Sequence, residues 1–466
     1  MVGFRLRWPA LAHAEWALLR WLLPLALLQG LLYLFVTPPW EHYDEPGHFL
    51  YAAEIAAGEL HARGPAAVAI SREVADSMYR HGFLDGAFRP DLLAPGPVRV
   101  GEDQRVHPPL YYALVAAPLR VVRFLAIETQ LYTARVVSLL LYVLTIVAAW
   151  RIAVVLAPGD PLAQALLPAL VLLVPTFADL MTAVNNDVLL NFAVTVAFLG
   201  AVHLVRDGLR PVPLLLALLG LTVAVAAKRT GLAATIPVGL ALLWAVRRAP
   251  LRPWMLLVGA GMAAVVAATA LRPVVVGQTV LIEPRPWLEA LDQRYLRLSL
   301  DAWLRSVSDI AAAIQPSQAL VVVGFTSFWG RLSWGNVALP APLDGVFAVL
   351  CLAAGCGLLL GLLRGREEPL VERRIRWIFV VAVAVGVLAL FARLHPLPPP
   401  GVDAYIPRGR YLFWAIVPVV YLMAYGIQHL VPERWRGLSL WVLAGVLALS
   451  NLVALATLVA YFGGRA

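Results

Sequence analysis

Apolar runs of roughly 17–25 residues recur along nearly the whole chain, each long enough to cross about 30 Å of hydrocarbon. Backbone groups in lipid have to be satisfied within their own segment, so each run predicts a helix. The runs fall at about 16–37, 109–127, 132–156, 162–182, 188–205, 211–227, 230–246, 254–271, 341–363, 377–393, 411–430 and 437–461. Two long polar stretches interrupt them, 38–106 and 272–340, and the two predict loops that pack together as a cap. Within the first, His48 to Ala57 and Ser71 to Arg80 have helical composition and predict short juxtamembrane helices. Within the second, Glu283, Arg285, Asp292, Arg294, Arg297, Asp301 and Arg305 predict an amphipathic surface helix.

Composition sharpens this to an all-α polytopic membrane protein, since 61% of the 466 residues are hydrophobic, 14% are charged and the mean hydropathy is +0.79. The formal charge of +9 sits in short clusters between apolar runs. That is the pattern of orientation signals and excludes nucleic acid as a partner. Arg5, Arg7 and Arg20 precede the first run, and Thr37-Pro38-Pro39 follows it in place of a small-x-small cleavage site. The first run therefore reads as a retained anchor with a cytoplasmic N-terminus. Cys351 and Cys356, the only cysteines, stand about 140° apart around a helix and read as apolar fillers.

Arg247, Arg248 and Arg252, with Arg364, Arg366, Arg373, Arg374 and Arg376, mark cytoplasmic loops. Counting back from them places Asn185-Asn186-Asp187 and Lys228 outside, on the side of the loop that follows the first run. An even number of crossings must then separate that loop from Asp187, yet three apolar runs intervene. The run at 109–127, broken by Pro118 and carrying Arg120 and Arg123, is assigned to the outer surface or to a re-entrant path; the alternative is twelve crossings, with Asp187 on the cytoplasmic side. The expected architecture is a single integral domain over 1–466 with about eleven spans. It has a first outer loop (38–106), a surface helix (107–127) and a second large outer loop (272–340).

Five chemical features converge on the outer face of that scheme. They are Asp44-Glu45 with His48; His107-Pro108-Pro109; Asn185-Asn186-Asp187; Lys228-Arg229; and Arg408-Gly409-Arg410-Tyr411. Lys228 is the only lysine. Ionisable groups beside lipid are costly, which makes them functional candidates. A carboxylate can take the proton of an attacking hydroxyl, while arginine and lysine hold a phosphate leaving group. Adjacent residues on a helix point about 100° apart, so Asp44 and Glu45 divide into one base and one structural acid. Glu45, His48 and His107 are candidates for a divalent metal. Asn185 to Asp187 also suits a helix N-cap, and Lys228 a snorkelling lysine. Arg331, among the aromatics of 324–335, suits the stacking or anchoring of a sugar or lipid.

The ordered set resembles the GT-C superfamily of membrane glycosyltransferases, including the protein mannosyltransferases and lipid A aminoarabinose transferases. The residues that carry the resemblance are Asp44-Glu45, His107-Pro108-Pro109-Leu110, Asn186-Asp187 and Lys228-Arg229-Thr230-Gly231. Asp-Glu-Pro-x-His (44–48), His-Pro-Pro-Leu-Tyr-Tyr (107–112), Asn-Asn-Asp (185–187), Phe-Trp-Gly (328–330) and Gly-Arg-Tyr-Leu (409–412) look closest to a bacterial branch of unknown function. The resemblance implies a GT-C-like bundle in the plasma (inner) membrane, with its active site extracytoplasmic. It also implies a polyprenyl-phosphate-linked sugar donor and a lipid, protein or polysaccharide acceptor. By that resemblance Asp44 would be the general base, Asp187 a second active-site acid and Lys228 a donor-phosphate ligand; from the residues themselves His48, His107, Arg229, Arg331, Arg408, Arg410 and Tyr411 are the further substrate-binding candidates. His107 stands where the aminoarabinose transferases have an acid near a metal, and two residues separate Lys228 from its glycine. Rival readings are a glycan polymerase or ligase, and a flippase or exporter of lipid-linked sugars.

Overall fold

The computed structural model describes residues 13–58, 64–92, 95–247, 259, 271–276, 279–284, 320–364, 368–394 and 408–464. Helix α1 (His13–Val36) leads into α2 (Glu45–Ala57) and α3 (Pro65–Arg80). Then come α4 (Leu110–Val122), α5 (Ile127–Leu156), α6 (Pro161–Leu172), α7 (Pro175–Met181), α8 (Asn186–Asp207) and α9 (Pro211–Ala227). A 3-10 turn (Arg229–Ala234) precedes α10 (Thr235–Val246), and an antiparallel hairpin follows, β1 (Leu271–Val276) with β2 (Thr279–Pro284). Helix α11 (Phe325–Trp329) is joined to a ribbon of β3 (Arg331–Leu332) and β4 (Val337–Ala338). The chain ends in α12 (Ala341–Arg364), α13 (Leu370–Leu394), a 3-10 helix (Gly409–Ala415), α14 (Ile416–Leu430) and α15 (Arg436–Gly463).

The chain is thus an all-α polytopic membrane protein. Among the described residues seven helices are long and apolar enough to cross a membrane, or eight if α6 and α7, bent by 67°, form one span. Helices α4 and α9 are apolar but shorter. The expected run at 254–271 lies almost wholly outside the described residues, so the count of eleven is not reached from length and apolarity alone. The surface helix expected from Glu283 to Arg305 also lies outside them, except that Glu283 falls in β2. The two juxtamembrane helices are present and start earlier than their composition suggested, each at a proline-containing first turn that favours helix initiation.

Helix α8 is buried around most of its circumference, against α5 on one side and α9 on the other. Its approach to α9 is backbone-close. A side chain at Gly220 would meet Ala193 O and Ala197 N at 2.6 Å, and one at Gly200 would strike the backbone of Ala217. Small residues at a helix interface allow this in lipid, where close packing replaces the hydrophobic drive.

Contacts sort the helix ends into two sets. At one, Arg206 reaches Val155 O, Arg374 lies 5.6 Å over Trp244, and the Tyr425 hydroxyl donates to Glu368 (2.8 Å) beside the Arg376–Glu368 ion pair. At the other lie the end of α1, all of α2, both ends of α4, the start of α5, the start of α8 and the end of α9. Tyr111 at the start of α4 accepts from the Asn185 N–H (2.8 Å), and Gln130 in α5 donates to Leu125 O (2.9 Å) just beyond the end of α4. The second large loop reaches this end as well: Trp334 donates to Trp40 O (3.1 Å) and packs edge-on against Phe83 at 5.5 Å.

Candidate functional site

The loop between α1 and α2 is held in an unusual conformation. Trp40 (φ 74°) and Asp44 (φ 55°) both occupy the left-handed region, which non-glycine residues enter only where surroundings over-determine them. The determinant is Arg135, a fully buried arginine of α5. It donates to Leu34 O (2.8 Å), Thr37 O (2.7 Å) and Pro38 O (2.8 Å), and binds Glu45 through Nε (2.9 Å) and Nη2 (2.6 Å). Glu45 also accepts from the Val184 N–H at 3.2 Å. Burial favours the neutral acid, but Arg135, His42 and the Val184 N–H together outweigh it and keep the Glu45 carboxyl below its ordinary value. Both Glu45 oxygens are thereby committed.

Asp44 is the N-cap of α2, yet its side chain makes no capping bond. The left-handed turn sends the carboxylate instead to Arg410 (Oδ2 to Nη2, 2.5 Å). Burial pushes the Asp44 carboxyl up, and Arg410, His48 and Arg408 together overcome this and hold it at about 2. Arg410 and Arg408 lie over the Tyr43 ring at 4.3 and 5.0 Å, and Arg408 is tied to Trp334 O at 2.9 Å. Arg410 is buried, and its Nε and Nη1 have no hydrogen-bond partner among the described residues. A buried guanidinium with unsatisfied donors is costly unless something fills the place beside it.

The second acid lies close by. Asn185 caps α8, accepting from the Asp187 N–H (2.9 Å), which fixes Asp187 in the first turn. Asp187 Oδ1 binds Lys228 Nζ at 2.6 Å, while Oδ2 is unpartnered among the described residues. Lys228 occupies the extended break between α9 and the 3-10 turn, and Arg229 follows it, half-buried. The Tyr411 ring carries both cations, Lys228 at 5.6 Å and Arg410 at 5.3 Å. His48 stands between the two acid–base pairs, close enough to feel Asp44, Lys228, Asp187 and Arg410. Burial is the largest influence on it and drives it down to about 3, so it is a neutral ring at pH 7. Its Nδ1 meets the Tyr112 hydroxyl at 2.9 Å, and its ring stacks at 6.4 Å on His107.

Asp44, His48, His107, Asp187, Lys228, Arg410 and Tyr411 are therefore drawn into one cluster, with Arg408 at its edge. Glu45 lies behind it, locked to Arg135. Arg331 lies in the β3–β4 ribbon, where it acts on Asp344 instead. The expected metal ligands do not assemble: Glu45 is saturated, and no group of three or more His, Cys, Asp or Glu converges among the described residues. Glu45, His48 and His107 therefore do not close a metal site among the described residues.

Sequence reasoning passed over Arg135 and Asp179, and it gave no role to His42 or Tyr112, which lie inside the stretches at 38–49 and 107–112. His42 Nδ1 lies 3.0 Å from Asp179 Oδ1, and Asp179 Oδ2 accepts from the Ser333 N–H (2.8 Å), pinning α7 and the ribbon to the loop that carries Asp44. Arg135 and Asp179 are each a charge inside an apolar run, a signal that was available.

No protein-family model matches the chain, and no curated protein matches it. Among solved structures it is similar to the Archaeoglobus fulgidus oligosaccharyltransferase in complex with Zn and sulfate, with 13% identity and a TM-score of 0.46, over 94% of this chain and 53% of that one. It is also similar to the archaeal oligosaccharyltransferase AglB from Archaeoglobus fulgidus in complex with an inhibitory peptide and a dolichol-phosphate, with 14% identity and a TM-score of 0.43, over 94% and 56%. A further similarity is to ArnT from Cupriavidus metallidurans in the apo state, with 13% identity and a TM-score of 0.34, over 94% and 76%. The chain spans about half the length of the archaeal proteins.

Proposed function

We propose that this chain is a GT-C-type glycosyltransferase that moves a sugar from a polyprenyl-phosphate donor to an acceptor hydroxyl at the extracytoplasmic face of the inner membrane. The observation that carries the reading is Arg410, buried between Asp44 and the Asp187–Lys228 pair with two donor nitrogens unspent among the described residues. A phosphate placed there would satisfy those donors and meet the Lys228 ammonium across Tyr411.

In this reading the Asp44 carboxylate accepts the proton of the acceptor O–H as that oxygen attacks the anomeric carbon. The bond from that carbon to the phosphate oxygen breaks, and its electron pair leaves on the polyprenyl phosphate. Arg410, Lys228 and Arg408 offset the charge that develops on the leaving group. A phosphate is a good leaving group, so no acid is required opposite the base. When Arg410 turns toward the phosphate, the pairing that depresses the Asp44 carboxyl weakens and its proton affinity rises. Asp187 keeps Lys228 charged and placed. Glu45 positions Asp44 from behind through Arg135. Residues 38–106 supply the base, 107–127 lie along the outer surface, and 272–340 contribute the ribbon that covers the loop.

The test is transfer from a radiolabelled polyprenyl-phosphate hexose by the purified chain. Asp44→Asn is expected to abolish turnover, and full activity in that variant would refute the mechanism. Lys228→Met should lower kcat about 10²-fold, the scale for losing one donor to a developing oxyanion.

A further inference from the structure

A cavity of about 320 Å³ opens beside α2, lined on one side by Gly47, Leu50, Tyr51 and Glu54 and on the other by the chain from 97 to 105. We propose that it is the acceptor subsite, and that it takes a neutral, hydroxyl-rich group such as a sugar ring. This rests on Asp44 being the base.

The four helix positions are spaced 0, 3, 4 and 7, so they form one face of α2. Asp44 immediately precedes that helix, one turn before Gly47, or about 4.5 Å along the axis. The cavity therefore opens against the turn of α2 that follows Asp44. A second connection runs through side chains: Tyr51 packs on Tyr112 at 4.3 Å, and Tyr112 bonds His48, which feels Asp44.

The volume lies at the lower edge of the roughly 300–1,000 Å³ typical of small-ligand pockets, which suits one ring and not a polymer. Charge separates this cavity from the Arg410 side. Glu54, Glu102 and Asp103 face only Arg99 and Arg105 across the lining. Arg105 is already spent on both Glu54 oxygens (2.5 and 2.6 Å) and on Asp103 (3.0 Å). Three carboxylates against two guanidiniums leave the lining acidic by one charge, which disfavours a second phosphate, while Glu102 offers an acceptor to hydroxyl groups and the Tyr51 ring an aromatic surface. The wall and the helix are fitted to each other, since a side chain at Gly47 would meet the Glu102 carbonyl at 2.6 Å.

Gly101 offers a way to fill the cavity. A Cβ there would sit 3.5 Å from the Gly47 nitrogen, an ordinary contact, so the first carbon of a Gly101→Leu side chain is accommodated against the wall of the cavity. The experiment uses the full chain in detergent with Cys351→Ser, Cys356→Ser and Arg99→Cys at the rim, labelled with a small polar maleimide. The probes are methyl α-D-glucopyranoside, methyl α-D-mannopyranoside and methyl α-D-galactopyranoside, with inorganic phosphate as the contrast. At least one glycoside is expected to slow labelling about threefold, as two-thirds occupancy would, and phosphate is not. Gly101→Leu removes the protection and Asp44→Asn keeps it. In transfer assays using the same glycosides as acceptors, Gly101→Leu raises the acceptor KM and leaves the donor KM unchanged, while Gly101→Ala stays near wild type. Protection by phosphate alone, or by none of the probes, overturns the subsite even where Asp44-dependent transfer stands. Protection without Asp44-dependent transfer overturns the transferase reading and the acceptor role with it.

Discussion

At pH 7 Asp44 is ionised, because Arg410, His48 and Arg408 hold its carboxyl near 2 against the upward push of burial. The folded value lies below the ordinary 3.8, so the pairing stabilises the fold fully above that pH and is lost as pH falls through about 2. Thermal unfolding in detergent should therefore show wild type more stable than Asp44→Asn at neutral pH, with the gap closing between pH 4 and 2. His48, driven to about 3 by burial, stays neutral across the working range. The kcat/KM profile should accordingly lack a limb near the usual histidine value of about 6.5. Glu45 differs from its neighbour in kind. Paired with Arg135 and wholly buried, it should cost about 3–5 kcal/mol when cut to alanine, because the guanidinium is left buried and alone. The expected result is loss of folded protein on size-exclusion chromatography, partly recovered in Glu45→Ala/Arg135→Met, where no charge remains stranded.

Among elements, the break between α9 and the 3-10 turn and the 3-10 helix from Gly409 matter most, since each presents a cation at a point where the regular helix gives way. Gly409 shows how tightly the second is set. A Cβ there would run into Gly324 O and the Phe328 backbone, and its own N–H donates to Ser327 Oγ at 2.7 Å. Gly409→Ala should cost roughly 1–3 kcal/mol, as overpacking does, and should move Arg410 with it. The measurement is the melting temperature together with the donor KM, both of which should worsen. The Gly-Arg-Tyr-Leu pattern is visible in the chain, but the reason for its glycine lies in α11, more than eighty positions earlier, and no local reading supplies that. Asp44-Glu45 is similar. The pair is conspicuous in sequence, whereas the left-handed turn that separates the two roles follows from Arg135 on a distant helix.

At the scale of the whole molecule, the helix ends fall into two sets, with the acid–cation cluster at one and the Arg374, Arg376 and Arg206 contacts at the other. In the proposed orientation a cysteine at Asn336, beside Tyr461 on the cluster side, is labelled from outside sealed inverted or right-side-out vesicles according to their sense. One at Arg364 must show the opposite sense. Labelling of both from the same face would break the arrangement. The amino-acid sequence by itself determined the class of protein and most helix positions among the described residues, because lipid forces every apolar run of sufficient length to close its own hydrogen bonds. It also marked most of the cluster, since charges are rare in such a chain and stand out. What only the tertiary structure decided is which charge meets which. Asp44 goes to Arg410, Glu45 to Arg135 and Asp187 to Lys228, while Arg331 goes elsewhere and no metal ligand set closes among the described residues. Pairing of buried charges depends on ångström distances between helices remote in sequence, and the order of residues along one chain does not carry that information.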